Sequence, residues 1–283
     1  MSTEGSELWS VVGDSSCDLM ELETDENVSF STVPFLADFD GVGFVDDETM
    51  DIDALLDAID HSPKAGQTAC PSPSTWLKKF EEATCSLAVT ISSNLSGSYN
   101  AAMAAKRMML EKFPEKKVEV IDSLGTGPTE VLVIDRILKS IRAGMDFDAV
   151  VEAAKKQVKD THIIFALCSY SNLIKNGRMK PVVGLVAKAL RIWGVGIGSP
   201  EGTIVIKDKT RGENNVIRII LNDIKARRTI DNEIVISHCR NVQLAEKLKE
   251  AILEEFRGAR VRILQTRGLD SFYAERGGII VSY

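Results

Sequence analysis

A cluster of hydroxyl side chains lies where an apolar run gives way to an Ala-rich segment with helical spacing. Ser92, Ser93, Ser96 and Ser98 fall within seven residues, and Gly97 lets a ligand approach the backbone closely. Hydroxyls and unpaired backbone N–H groups at the start of a helix are donors suited to an anion or a carboxylate. We therefore interpret this strand end as a binding site for a negatively charged group.

Two other predicted strands also end in small polar residues. Asp14-Ser15-Ser16 follows the apolar run Leu8–Val12, and Asp122-Ser123 follows Val118–Ile121. Asp and Ser are also ordinary helix caps and turn formers. The first group fits a turn with a helix cap as well as a ligand-facing loop. It therefore supports a site without defining one.

A plain helix cap is the favoured interpretation of the segment Thr68-Ala69-Cys70-Pro71-Ser72. Its proline fixes the loop, and Ser72 or Ser74 can cap a helix that begins near Thr75. Without further information, this segment is predicted to shape the chain rather than to bind a ligand.

Two charged or titratable residues follow predicted element ends. Arg178 comes after Gly177 and a short helical turn, where it can offer a guanidinium to a carboxylate, although a solvated helix-end arginine is the commoner outcome. His238, one of three histidines, follows a predicted strand. A lone histidine is more often structural than an acid–base group.

The elements that position these residues alternate in type. The strand-like runs in the first half are Leu8–Val12, Ser86–Ile91 and Val118–Ile121, and helical spacing covers 51–60, 74–83, 97–112 and 127–143. This alternation predicts βαβ units, with a parallel sheet between helical layers. Ligands of such sheets bind beyond the carboxyl ends of the strands, where the hydroxyl groups are predicted to lie.

A second region begins near Thr161 and mixes strands with helices. Its predicted strands are His162–Leu167, Thr203–Ile206, Glu233–Ile236 and Val261–Leu264, with helices around 214–226 and 242–256. Met145–Lys159 reads as an amphipathic helix rather than a flexible linker. We predict two closely joined α/β domains: a Rossmann-like parallel-sheet domain over residues 1–160 and a mixed α/β domain over residues 161–283.

Composition narrows the class of protein. The 283 residues are 44% apolar and 27% charged, as in packed globular proteins. A net charge of -7 without a Lys/Arg block argues against a nucleic-acid surface. Five scattered cysteines without CxxC spacing fit neither a disulfide framework nor a zinc site. We expect a cytoplasmic protein with no metal, no cofactor, no export signal and no stable membrane insertion.

Taken in order, these motifs resemble those of the DegV family of bacterial fatty-acid-binding proteins, whose FakB members present acyl chains to a fatty acid kinase. Asp14-Ser15-Ser16 matches D-S-[ST], Thr68–Ser72 is similar to T-S-Q-P-S, and Ser92–Tyr99 matches S-S-x-L-S-G-[ST]-Y. Asp122-Ser123 fits a later D-[ST], and Leu173–Met179 resembles L-x-K-x-G-R-[IV]. The resemblance spans nearly the whole chain.

The resemblance implies that the protein holds one long-chain, palmitate-like fatty acid. Its carboxylate would meet the hydroxyls of Thr68 and Ser96, with Ser93 as a secondary candidate and Arg178 near the head group. Neutral donors can satisfy a carboxylate without burying an unpaired cation. The tail would lie inside the protein, where each buried methylene contributes roughly 0.8 kcal/mol. Specificity is therefore expected to depend on the length and shape of the tunnel.

The chain departs from the family pattern in two places. Thr68-Ala69-Cys70 stands where the family has T-S-Q, so the neighbouring hydroxyl and amide are missing. Tyr273 falls where the H-x-G-x-G element has its histidine, and Glu275 replaces a glycine. A tyrosine hydroxyl can still donate to a carboxylate, but it does not become cationic near neutral pH. These changes affect the hydrogen bonds to the head group and the expected partnership with a kinase.

Two other classes of protein fit the sequence less well. A serine hydrolase acting on acyl esters would use Ser96 as nucleophile and His238 as base, but Leu95-Ser96-Gly97 is not part of a G-x-S-x-G elbow. A nucleotide-binding protein would need a phosphate loop, and Val195–Gly198 is too short for one. The sequence therefore favours a lipid carrier that is not itself an enzyme.

Overall fold

The computed structural model describes residues 7–62, 66–180, 192–227 and 233–283. In chain order the strands of this part are β1 (Trp9–Asp14), β2 (Val28–Val33), β3 (Leu36–Phe39), β4 (Val42–Val45), β5 (Gln67–Ala69), β6 (Cys85–Thr90), β7 (Lys117–Asp122), β8 (Ile163–Leu167), β9 (Ile192–Gly198), β10 (Ile204–Arg211), β11 (Glu233–His238), β12 (Arg260–Gln265) and β13 (Ile279–Ser282). The helices are α1 (Ile52–His61), α2 (Pro73–Glu81), α3 (Ser98–Lys112), α4 (Pro128–Arg142), α5 (Phe147–Asp160), α6 (Ser171–Lys175), α7 (Glu213–Arg227), α8 (Val242–Glu255) and α9 (Gly268–Ala274). A single 3-10 turn, Ser15–Cys17, follows β1.

The first sheet is parallel and has the strand order β2-β1-β6-β7. Its central strands, β1 and β6, are buried on both faces, because helices cover each side. Leu87 and Val89 of β6 pack in the cluster formed with α4 and α5, and Ala88 between them packs in the cluster formed with α2 and α3. Successive side chains of a strand point to opposite faces, and both faces of β6 are covered by helices. Apolar residues are therefore favoured at consecutive positions of β6.

The second sheet is mixed and has the order β10-β9-β8-β13-β11-β12. Only the pair β11 and β12 is parallel within it. Ile164 and Ala166 of β8 face the cluster that contains α7 and α8, whereas Phe165 and Leu167 face the opposite side. The predicted α/β class, with a parallel amino-terminal sheet and a mixed carboxyl-terminal region, is confirmed.

A small antiparallel sheet, with the order β4-β3-β5, joins the two halves. Ala37 and Phe39 of β3 and Leu55 of α1 belong to the same buried cluster as Phe165 and Phe272 from the second half. The first half therefore shares a core with the second sheet. The division at residues 160 and 161 stays a prediction.

Local signals explain where several helices begin. Asp51, Ser72 and Asp146 each accept a hydrogen bond at the side chain from a backbone amide three residues later, at 3.0, 3.2 and 2.9 Å. Such caps satisfy amides that have no partner inside the helix. The predicted cap at Ser72 is thus confirmed, with Pro73 in the first turn of α2.

The run that contains Val195–Gly198 belongs to strand β9 rather than to a loop. None of the helices in the described ranges is long and apolar enough to cross a membrane.

Candidate functional site

A cavity that is partly open to solvent lies beyond the carboxyl ends of the first sheet. Phe35 follows β2, Ile91 follows β6, and Leu124 and Thr126 follow β7, and all four side chains line the cavity. Because the strands are parallel, their carboxyl ends meet at one edge. The predicted location of a ligand at this edge therefore coincides with a cavity.

The opposite wall comes from the second half of the chain. Phe165 and Leu167 of β8 and Ile280 of β13 present apolar side chains, and Leu269 of α9 continues this surface. The cavity is thus enclosed by two sheets from different parts of the sequence, and its walls are mainly apolar. Such a space suits a hydrocarbon chain.

Two hydroxyl groups from the two halves meet at the cavity. Thr68 on β5 and Tyr273 on α9 both line it, and the Thr68 Oγ1 and Tyr273 Oη atoms share a hydrogen bond of 2.9 Å. Both side chains are half-buried. Either hydroxyl can donate, so the pair offers a donor to an incoming acceptor.

Ser96 lies in the loop between β6 and α3 and also lines the cavity. Its backbone amide donates to Ser92 O at 3.1 Å, which fixes the loop, and its Oγ accepts from the amide of Ser98 at 3.3 Å. Among the hydrogen bonds of the described residues, this Oγ acts as an acceptor. Its own proton can therefore be offered to a ligand.

The other hydroxyls of the cluster have different partners. Ser92 Oγ is buried and donates to Gly202 O at 2.7 Å, which ties the turn between β9 and β10 to the first half. Ser93 is not among the described residues that line the cavity, and its amide donates to Asp122 Oδ1 at 3.1 Å. The structure thus brings Thr68, Ser96, Arg178 and Tyr273 to one cavity and leaves Ser93 beside it.

Arg178 lines the cavity just after α6. Gly177 before it has a φ of 72°, a left-handed conformation that favours glycine. The guanidinium donates from Nε to Leu95 O at 3.1 Å and from Nη1 to Asn176 O. These bonds hold the cation close to the loop that carries Ser96.

Asp14 is fully buried and fastens the loop from inside. It accepts from Ser98 Oγ at 2.6 Å, from Ser16 Oγ at 2.5 Å and from the amide of Ile91 at 3.2 Å. Burial raises the pKa of Asp14, and these hydrogen bonds oppose the increase. Asp14 therefore positions the Ser96 loop and does not line the cavity within the described residues.

Sequence reasoning missed Asp270 and Thr126. Both line the cavity, and Thr126 Oγ1 donates to Asp270 Oδ1 at 2.7 Å. Burial, followed by the charge of Asp18, raises the pKa of Asp270 well above its ordinary value. No motif marks Asp270, because its environment is formed by residues from the opposite end of the chain.

His238 lies at the end of β11, where its Nδ1 accepts from the amide of Asn241 at 3.3 Å. Burial, followed by the charge of Arg240, lowers the pKa of His238. It is not among the described residues that line the cavity with Ser96. The two residues that a hydrolase would need are therefore not brought together there.

All five cysteines are free thiols. Within the described ranges, no group of three or more His, Cys, Asp or Glu side chains is arranged to hold a metal ion.

Together, the fold and the cavity define a two-sheet α/β ligand-binding protein with an apolar interior and a hydroxyl-lined polar end. The chain belongs to the DegV family, whose sequence profile, described as "Uncharacterised protein, DegV family", matches residues 9–282. A DegV domain-containing protein of Streptococcus pneumoniae is 36% identical over 276 residues, which cover 97% of this chain and 98% of the relative. The family resemblance seen in the motifs is confirmed.

Two solved structures are similar over nearly their whole length. The fatty acid kinase (Fak) B3 protein of Streptococcus pneumoniae, loaded with linoleic acid, is 35% identical with a TM-score of 0.93, covering 98% of this chain and 99% of that one. A DegV family protein from Eubacterium eligens, loaded with heptadecanoic acid, is 34% identical with a TM-score of 0.92, covering 97% of this chain and 98% of that one. The ligands in both structures are fatty acids.

Proposed function

We propose that this protein is a carrier that binds one long-chain fatty acid and is not itself a catalyst. The carboxylate is held by Thr68, Ser96 and Tyr273, with Arg178 close by, and the tail fills the apolar cavity. The observation that carries the proposal is the single cavity that these four residues share. The fatty acids in two solved relatives, each above 30% identity over nearly the full chain, support it further.

The chemistry of the polar end suits a carboxylate. A carboxylate accepts several hydrogen bonds, and hydroxyls satisfy it at little desolvation cost compared with a buried cation. The hydroxyls of Thr68 and Tyr273 are hydrogen-bonded to each other, and either can be the donor. After a small rotation of these hydroxyls, a carboxylate can accept a hydrogen bond from one or both. Ser96 supplies a further donor from the neighbouring loop.

The tail contributes most of the binding free energy in this proposal. Burying a methylene contributes roughly 0.8 kcal/mol, whereas a hydrogen bond to a charged group contributes about 1.5–3 kcal/mol. A chain of sixteen or so carbons therefore depends mainly on apolar contacts such as Phe165 and Ile280. In this proposal, residues 1–160 contain the head-group hydroxyls of Thr68 and Ser96. Residues 161–283 provide most of the surface that covers the acyl tail.

Presentation of the bound acid to a separate fatty acid kinase is the finer part of the proposal. It is supported by the likeness to the fatty acid kinase (Fak) B3 protein. Tyr273 would then take the position of the family histidine near the head group, with its hydroxyl as a donor. Incubation of the loaded protein with ATP and a cognate kinase tests this step, since phosphorylated acid should appear. Absence of turnover with a kinase active on its own carrier would contradict it.

A binding titration tests the carrier proposal. Delipidated wild type, Thr68→Ala, Ser96→Ala and the exposed control Ser74→Ala are titrated with palmitate. We expect roughly tenfold weaker binding, or more, for Thr68→Ala and Ser96→Ala, because each removes a hydrogen bond to a charged group. Ser74→Ala should bind as wild type does. Unchanged affinity in both cavity variants would contradict the assigned head-group site.

A further inference from the structure

Four buried carboxyl groups lie together beside the cavity, which one of them, Asp270, also lines. They are Asp14, Asp18, Glu130 and Asp270, here called the acid cluster. Each is at most 5% exposed. The buried cation nearby, Arg267, pairs with a fifth carboxyl group, Asp46, at 3.4 Å. Like charges packed out of water cannot all stay ionised, so some members of the cluster must hold protons.

Hydrogen-bond geometry assigns one of these protons to Glu130. The Oγ atom of Ser16 lies 2.5 Å from Asp14 Oδ1 and 2.5 Å from Glu130 Oε1. A hydroxyl has one proton, so it donates to one carboxyl group and accepts from the other. Asp14 already accepts from Ser98 and Ile91, as a carboxylate does. Glu130 is therefore the donor, and burial raises its pKa well above the ordinary value.

The same reasoning applies to Asp18 and Asp270. Asp18 Oδ1 accepts from the amide of Arg267 at 2.7 Å, and Asp270 Oδ1 accepts from Thr126 Oγ1 at 2.7 Å. The remaining Oδ2 atoms are both buried without a hydrogen-bond partner among the described groups. Two such acceptors side by side are costly unless one of them carries a proton.

Gly127 shows that these two oxygens border the same point at the start of α4. A Cβ atom placed on Gly127 would lie 2.5 Å from Asp270 Oδ2 and 2.8 Å from Asp18 Oδ2. Its φ of 49° is also in the region that favours glycine. The absence of a side chain at Gly127 thus leaves room for both carboxyl groups beside the start of α4.

We propose that Asp18 and Asp270 share one proton between their Oδ2 atoms, and that this acid pair fixes the position of α9 against the first half. Asp270 is then a positioning residue that acts on the site through α9, which carries Tyr273, and through Thr126. Asp46 fastens the start of the same helix by accepting from the amides of Gly268 and Leu269 at 2.8 and 2.9 Å. The consequence for the ligand rests on the proposed fatty-acid function.

The surroundings make this pair sensitive to pH. Burial raises the pKa of Asp18 to about 7, and the hydrogen bond from the Arg267 amide opposes this increase. The other titratable groups that face the pair are Asp14, Glu130, Asp46, Cys17 and Cys239, with Arg267 as the facing cation. Because the pKa of Asp18 is raised in the folded protein, the acid pair makes its full contribution to the free energy of unfolding below the ordinary pKa of aspartate. This contribution is lost as the pH rises through about 7.

The test is thermal unfolding of delipidated wild type, Asp270→Asn, Asp18→Asn and Asp46→Asn between pH 5 and pH 8. An asparagine amide replaces the shared proton with a permanent donor. We expect the midpoint of Asp270→Asn to exceed that of wild type by roughly 2–4 °C or more at pH 8, with a smaller difference at pH 5. Asp46→Asn should lose stability at every pH, because Asp46 needs two acceptor oxygens.

Asp18→Asn supplies the same donor from the other side, so it decides the question if Asp270→Asn does not fold. If Asp270→Asn or Asp18→Asn folds but is less stable than wild type at every pH, as expected for Asp46→Asn, the proposal of a shared proton is wrong. Palmitate retention at pH 8, measured separately, should be higher in Asp270→Asn than in wild type if the pair positions the site. Protein that takes up no palmitate at any pH would contradict the proposed function, while the unfolding profiles still decide the acid pair.

Discussion

At the scale of single residues, the polar end of the cavity depends on the hydroxyl pair of Thr68 and Tyr273. We expect Tyr273→Phe to weaken fatty acid binding about 2- to 10-fold, because it removes one donor while leaving the ring in place. Tyr99→Phe is a matched control, since Tyr99 packs on α3 in a cluster away from the cavity. Equal binding by wild type and Tyr273→Phe in a palmitate titration would remove Tyr273 from the head-group site.

The shape of the apolar end depends on Gly196. A Cβ atom on Gly196 would lie 2.4 Å from the ring of Phe165, which lines the cavity. We expect Gly196→Ala to push this ring into the cavity and to reduce binding of an eighteen-carbon acid more than that of a fourteen-carbon acid. Competition between the two acids measures the ratio.

Gly43→Ala is the control for this variant, because a Cβ atom at Gly43 meets nothing within 4 Å. An unchanged ratio of the two acids in Gly196→Ala, at unchanged overall stability, would mean that the tail does not reach Phe165.

At the scale of elements, the turn between β9 and β10 is attached to the first sheet by side chains of the serine-rich loop. Ser92 Oγ donates to Gly202 O, and Asn94 Nδ2 donates to Glu201 O at 2.6 Å. We expect Ser92→Ala to leave Gly202 O without its donor, at a cost of about 1–3 kcal/mol, and to speed release of bound fatty acid. Stopped-flow release and hydrogen exchange over residues 199–203 check this. Unchanged release with faster exchange would show that the turn does not control the exit of the ligand.

The longer elements of the first half could be predicted from the sequence. The interval 97–112 was predicted as a helix and α3 spans Ser98–Lys112, because its spacing and flanking Gly97 are local signals. The strands β3 and β5 were not predicted, since they contain only four and three residues. Thr68 belongs to β5, so only the family resemblance, and not the local pattern, pointed to its role.

Asp270 marks the limit of sequence reasoning at the site. Its neighbours Asp18 and Thr126 come from the first half of the chain, and α9 has only seven residues. The pKa of Asp270 is raised through burial by segments that are distant in the sequence. Such burial produces no local periodicity or residue spacing from which it could be predicted. The hydroxyls at the strand ends were predictable for the opposite reason, because parallel strands bring their carboxyl ends to one edge.

At the scale of the whole molecule, the two halves are joined by buried and half-buried polar contacts as well as by the shared core. Thr129 Oγ1 and Ser282 Oγ share a hydrogen bond of 2.8 Å, and Arg262 Nη2 donates to Asp135 Oδ2 at 2.5 Å. We expect one cooperative unfolding transition in calorimetry. Palmitate at about 100 times its Kd should add about 2.7 kcal/mol of stability and move the whole transition upward. Two transitions, of which only one moves, would contradict a ligand held by both halves.

The central claim is that the protein carries one fatty acid, and native mass spectrometry of the purified protein tests it most directly. Intact mass is followed by denaturing extraction and identification of the released lipid. The account predicts one long-chain fatty acid per chain, reduced in Thr68→Ala and Ser96→Ala but not in Ser74→Ala. A protein that is empty as purified and takes up no added fatty acid would contradict it.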